Sequence, residues 1–148
     1  MRNSSKVILT VSIGIGVLIG GAIYLFWYAK GYSYLSHDSK ACLNCHVMRE
    51  QFNSWTQASH HIVAQCNDCH LSGNILSQMK TKILNGFSHS LAFTLQNFHE
   101  PIQIKKRNRK VVESSCQNCH TPLLEASGIH GRKDMSCLGC HRQVGHLQ

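Results

Sequence analysis

All eight cysteines of this 148-residue chain fall into four copies of one five-residue pattern, with none left over. The copies are Cys42-Leu43-Asn44-Cys45-His46, Cys66-Asn67-Asp68-Cys69-His70, Cys116-Gln117-Asn118-Cys119-His120 and Cys137-Leu138-Gly139-Cys140-His141. C-x-x-C-H is the attachment motif for c-type haem. Its two thiols add to the two vinyl groups of one porphyrin, and the adjacent histidine normally reaches the iron. Zinc is the competing reading, since two Cys-x-x-Cys pairs can close one tetrahedral site. Zinc has no need of a histidine after every second cysteine, and it leaves the seven histidines outside the motifs unexplained. A disulfide framework does worse, because a two-residue gap makes a strained, redox-active pair. The pattern predicts four covalently bound haems c.

Four porphyrins dictate much of the architecture. Aromatic residues are only 7% of the chain, too few for a large side-chain core, so the haems supply the apolar filling. The motif positions give a haem pair over 42–70, an insert over 71–115 and a second pair over 116–141. Haems packed this closely leave little room for strands. The expected fold class is mainly α, with short helices and loops packed around the porphyrins. Within the insert, Ile75, Met79, Ile83, Phe87, Leu91 and Leu95 recur every fourth residue, a helical apolar stripe. Gly86 is a weak point that can bend or end that helix. Lys105-Lys106-Arg107-Asn108-Arg109-Lys110 reads as a solvated loop, able to meet anionic lipid or an acidic face of a redox partner.

Residues 7–29 contain no charge. A helix of that length spans ~34 Å, enough for a ~30 Å hydrocarbon core. Arg2 and Lys6 precede it, and Trp27, Tyr28, Tyr32 and Tyr34 form an interfacial belt at its far end. The run is too long for a cleaved signal core, and Phe26-Trp27-Tyr28 stands where a cleavage site needs small residues. The expected organisation is a cytoplasmic N-terminus (1–6), a transmembrane signal-anchor (7–29) and a haem domain (30–148). Covalent haem attachment takes place outside the bacterial inner membrane, so that domain is expected in the periplasm. Gly16 and Gly20 make one small-xxx-small pair through which a second helix can pack as a dimer, although glycine is also common in such helices. The propionates of four haems offset the formal +8 charge, which removes the case for nucleic-acid binding.

Each iron has a second axial position. Bis-histidine ligation gives a low potential, and methionine raises it. The histidines beyond the motifs are His37, His60, His61, His89, His99, His130 and His146. Met48 extends the first motif to Cys-x-x-Cys-His-x-Met, close enough to reach that haem or to serve as a packing residue.

The four motifs, the single N-terminal span and the small size resemble the NapC/NirT family of membrane-anchored periplasmic quinol dehydrogenases, over nearly the whole chain. The similarity is greatest to the short tetrahaem subunit that feeds cytochrome c nitrite reductase. It rests on Cys42–Met48, on Ser59-His60-His61 running to Cys69-His70, and on Cys140-His141-Arg142-Gln143-Val144-Gly145-His146. The resemblance implies that Met48, rather than His46, binds haem 1, a high-spin iron beside the quinol pocket. It implies that His70, His120 and His141 are proximal ligands, and that His60 and His146 are distal ligands of haems 4 and 3. The sixth position of haem 2 is left to a lysine of the partner enzyme, with His99 or His130 as alternatives. A family lysine at the quinol pocket matches Lys82. The family's acid six or seven residues later falls on Ser88 or His89, and no Asp or Glu lies between Asp68 and Glu100. His89 is the obvious replacement base, with an unperturbed pKa near ~6.5.

The implied function is oxidation of menaquinol from the membrane quinone pool and delivery of electrons to a periplasmic multihaem reductase. That partner is expected to be the pentahaem nitrite reductase that makes ammonium. The alternative is an electron-transfer adaptor to another periplasmic oxidoreductase, for nitrate or hydroxylamine. A terminal reductase is disfavoured, because no Cys-x-x-Cys-Lys occurs. The chain then acts as the quinol dehydrogenase subunit of a complex, with no terminal substrate reduction of its own.

Overall fold

The computed structural model describes residues 2–128 and 136–146. Its helices are α1 (Arg2–Tyr28), α2 (Arg49–Thr56), α3 (Cys66–His70), α4 (Ile75–Thr94), α5 (Lys106–Cys119), α6 (Thr121–Ala126) and α7 (Cys137–Cys140). Three 3₁₀ segments, Gly31–Leu35, Ser39–Asn44 and His46–Met48, lie between α1 and α2, and the described residues include no strand. The expected helical class is therefore met. The chain divides into two compact units, Met1–Arg49 and Glu50–Gln148.

In the first unit, α1 is long and apolar enough to cross a membrane, and its apolar window is not buried within the protein. A helix end leaves carbonyls without intrahelical partners. Here the chain turns sharply to cover them. Lys30 takes a left-handed conformation (φ 51°), and Gly31 packs so close to Phe26 that a Cβ would sit 2.5 Å from its ring. The ring of Trp27 meets that of Tyr32 at 5.4 Å. Asn44, inside the first haem motif, donates through Nδ2 to the carbonyl of Ala29 at 2.9 Å. The first attachment loop is thus fastened to the exit of the membrane helix.

The second unit is built around α5, which packs against α3, α6 and α7. Ser72 and Ser114 share a hydrogen bond at 3.0 Å, tying the end of α3 to α5. The start of α5 is joined to α4 by Arg107, which donates to Asn85 Oδ1 at 2.6 Å. The side-chain core is small. Among the described residues, its buried hydrophobic residues are Trp55, Ala58 and Val112. Trp55 donates from its indole to the Ala64 carbonyl at 3.2 Å and meets the rings of Phe52 and His61.

Two local expectations are corrected. Gly86 neither ends nor interrupts α4, which runs on to Thr94. One glycine costs about 1 kcal/mol, which the other turns of the twenty-residue helix outweigh. The helix stops instead where Gln96 turns left-handed (φ 52°) and Asn97 N–H bonds back to Ala92 at 2.9 Å. The basic run is not a loop. Lys106 to Lys110 form the opening turn of α5, with no acid there to balance the helix dipole. Burial of Val112 and Ser115 further along outweighs that unfavourable charge.

Candidate haem-binding sites

The four motifs do not share one backbone form. The second is an α-helical turn, Cys66–His70, whose start is fixed by a reciprocal cap between Gln65 and Asp68. In the third and fourth, the histidine N–H bonds to the carbonyl of the first cysteine. These bonds are His120 to Cys116 at 2.9 Å and His141 to Cys137 at 2.8 Å. The first motif breaks the pattern. The Cys42 carbonyl accepts from Cys45 N–H at 3.2 Å, Cys45 itself is extended, and a second tight turn closes from Met48 N–H to the Cys45 carbonyl at 3.0 Å. Successive residues of a 3₁₀ turn lie about 120° apart, so His46 and Met48 leave the turn in different directions. Met48 is half-buried and His46 is exposed.

Two imidazoles bound to opposite faces of one iron at about 2.0 Å, with about 1.1 Å from nitrogen to ring centre, have centres about 6.2 Å apart. Two histidine pairs show this spacing. The rings of His60 and His120 are 6.1 Å apart, and those of His70 and His146 are 6.2 Å apart. The nitrogens behind these rings are committed. His60 Nδ1 faces the Val144 carbonyl at 3.1 Å, and His146 Nδ1 faces the Gln51 carbonyl at 3.0 Å. A carbonyl only accepts, so each Nδ1 carries the proton and each Nε2 keeps its lone pair for a metal. His70 is reached by solvent but hemmed in by protein. Desolvation first, and then His146, push its pKa below the ordinary histidine value. The residues present fit bis-histidine haem.

The ring pairs differ from the ligand order implied by the resemblance. His60 meets the third motif rather than the fourth, and His146 meets the second rather than the third. The imidazole that faces His70 therefore comes from within the chain. His99 is an exposed loop residue, and His130 lies outside the described residues. Among the described residues, no second histidine ring stands at iron-bridging distance from His141. The cause is the fold of the last segment. Residues 141–146 run back over 51–60, so that Val144 holds His60 while His146 continues on to His70. We expect His146→Ala to convert the haem on Cys66 and Cys69 from low to high spin, leaving the His60–His120 centre unchanged in paramagnetic resonance. A change confined to the third-motif haem would restore the order implied by the resemblance.

The attachment thiols form a connected series. Cys69 is held above its ordinary pKa by desolvation, then by Asp68, Cys119 and Cys66. Cys116 is pushed up to about 11, by desolvation and then by Cys137, Cys69 and Glu113. The cysteines of motifs two, three and four are therefore electrostatic neighbours. Among the described residues, no three of His, Cys, Asp and Glu converge as a zinc centre requires.

Lys82 and His89 both lie on α4, seven residues apart and so on one helical face. His89 is solvent-accessible, and its pKa is lowered by partial desolvation first, then by Lys105 and Arg107. Ser88 is a half-buried neighbour. The positioning residues Asn44, Gln51, Glu113 and Val144 were not singled out from the sequence. Their roles depend on contacts across 15 to 95 residues. Asp68 did carry a local signal, since an acid three residues after a cap residue marks a helix start.

The NapC/NirT cytochrome c family, N-terminal region, matches residues 2–148. The chain is 35% identical to the cytochrome c-type protein NrfH of Wolinella succinogenes, over 97% of this chain and 89% of that one. It is 29% identical to the cytochrome c nitrite reductase subunit NrfH of Nitratidesulfovibrio vulgaris, over 86% of this chain and 79% of that one. It also superposes on a chain in the crystal structure of the cytochrome c nitrite reductase NrfHA complex bound to the HQNO inhibitor. There the TM-score is 0.65 and the identity 26%, covering 91% of this chain and 90% of that one.

Proposed function

The chain belongs to the NapC/NirT cytochrome c family, and on that premise we propose that it is a membrane-anchored tetrahaem quinol dehydrogenase. It oxidises menaquinol and passes the electrons to a periplasmic pentahaem cytochrome c nitrite reductase, which reduces nitrite to ammonium. Residues 1–6 are cytoplasmic, residues 7–29 cross the inner membrane, and residues 30–148 lie in the periplasm. The partner is argued from similarity to a nitrite reductase subunit and to a chain of the NrfHA complex. The observation that carries the quinol role is the first motif, the one of the four that leads by tight turns to a methionine.

When bound, the haems supply the one-electron carriers. The chain's own residues do the rest. Cys42 and Cys45 would hold the first porphyrin, with Met48 as its protein ligand in place of His46. Cys66 and Cys69 would hold the second, with His70 and His146 as ligands. Cys116 and Cys119 would hold the third, with His120 and His60. Cys137 and Cys140 would hold the fourth, with His141. On this reading a partner lysine would serve the fourth haem, beside an open cleft lined by Ser59, Cys140, His141, Arg142, Gln143 and Val144. Menaquinol releases two electrons and two protons. Lys82 holds a quinol oxygen, and His89, neutral at neutral pH, takes the protons in turn and returns them to periplasmic water.

The direct test is the intact protein. Its mass should exceed the polypeptide by four haems, with residues 1–30 retained. In vesicles with the pentahaem reductase, it should couple oxidation of a menaquinol analogue to nitrite loss. A mature form beginning after residue 30 would remove the anchor. Four haems without quinol oxidation would make the chain an adaptor.

A further inference from the structure

Glu113 lies on α5 three residues before Cys116 and reaches the start of α7. Its carboxylate accepts from Cys137 N–H at 2.8 Å, from Leu138 N–H at 3.3 Å and from the Ser136 hydroxyl at 2.5 Å. Ser136 Oγ in turn accepts from Gly139 N–H at 3.1 Å and from Arg109 at 3.2 Å. Arg109 Nε also stands 4.0 Å from Glu113. The leading amides of α7 are therefore satisfied by α5, directly or through Ser136.

That arrangement matters because α7 is only four residues, Cys137–Cys140. A single helical turn fixes several dihedrals for one hydrogen bond and does not stand alone in water. The other attachment turns have their own support. The second has the Gln65–Asp68 cap, and the third is the end of the fourteen-residue α5.

We infer that Glu113 is the positioning residue of the fourth haem-attachment site, holding the Cys137–Cys140 turn in shape and fixing it to the helix that carries the third motif. The inference rests on the four-haem reading. Attachment adds each Sγ–H across a vinyl double bond. The sulfur–carbon bond forms, the hydrogen goes to the other vinyl carbon, and no electrons are lost. Both thiols must face one porphyrin for this to occur twice, which is what a pre-formed turn provides. Desolvation opposes the charge of Glu113, but the donors from Ser136, Cys137 and Leu138 outweigh it and hold the carboxyl below the usual carboxylate range. The Cys137 thiol is raised, by desolvation and then by its hydrogen bond to Glu113. This disfavours the thiolate, the form that enters thiol–disulfide exchange.

The test compares full-length Glu113→Ala and Glu113→Gln with wild type, matured in the same host, by intact mass, peptide mapping and redox titration. Glu113→Ala should lose one haem, with Cys137 and Cys140 unmodified and the other six cysteines still linked. Glu113→Gln keeps one carbonyl acceptor and should restore part of the fourth attachment. In its four-haem fraction, the fourth haem should titrate at a more positive potential, because a nearby negative charge is gone. Four haems in Glu113→Ala with unchanged titration would overturn the inference. Uniform loss of all haems in both variants would also overturn it, by making Glu113 a general folding residue. Wild type lacking haem on Cys137 and Cys140 would instead sink the four-haem reading.

Discussion

Met48→Leu should abolish oxidation of a menaquinol analogue while every haem stays attached. The haem bonds run through Cys42 and Cys45, so losing the thioether leaves attachment intact. Leu and Met are near in volume, and such exchanges cost under about 1.5 kcal/mol in a packed site. Loss of activity without loss of haem therefore reports on the ligand. The high-spin ferric signal should change at the same time. His46→Ala should leave quinol oxidation in place, because the first motif turns away from the geometry that aims a motif histidine at its iron. Unchanged activity and spectrum in Met48→Leu, with loss in His46→Ala, would return the first haem to ordinary histidine ligation.

The second large effect is expected at His89. Positioned proton transfer typically contributes ~10²–10⁴-fold, so His89→Ala should slow steady-state quinol oxidation by about that factor. Partial desolvation, Lys105 and Arg107 all lower the His89 pKa below 6.5. Imidazole accepts a proton only when neutral, that is, above its pKa. The acid limb of the rate profile should therefore lie below pH 6.5, and activity should fall as pH drops through the depressed value. Arg107 is pinned to Asn85, one turn before His89. Arg107→Gln should raise the His89 pKa and move the acid limb to higher pH. The stability linkage has the same sign. A depressed folded pKa contributes stability above 6.5 that is lost as pH falls. If His89→Ala changes neither the rate nor the profile, His89 is a surface residue and the quinol proton leaves by another group.

Wherever the controlling interactions are local, the sequence is a sufficient guide. The haem motifs need five adjacent residues, and the membrane helix needs an uncharged run. The stripe from Ile75 to Leu91 sits on α4 as its spacing implies. Reading stopped where two local signals competed. Gly86 read as a point that can bend or end the helix, but one glycine costs less than the surrounding turns stabilise, and α4 runs on to Thr94. Lys105 to Lys110 read as a loop because charge argues against a helix N-terminus, whereas the burial of Val112 and Ser115 that overrides this is a property of packing.

By itself the sequence determined that this is a haem-filled, helical, membrane-anchored chain, because cysteine count, motif spacing and apolar run length leave no other use for those residues. Only the tertiary structure brings the His60 ring to 6.1 Å from that of His120 and the His146 ring to 6.2 Å from that of His70. His60 and His146 are each close in sequence to one motif, but their nearest motif histidines in space, His120 and His70, belong to others. The closing segment crosses back over the first part of the domain, where Val144 holds His60 and Gln51 holds His146. Axial ligation depends on two ring nitrogens lying about 4 Å apart through space. That distance is set by backbone carbonyls 84 and 95 residues away, and no spacing of letters encodes it.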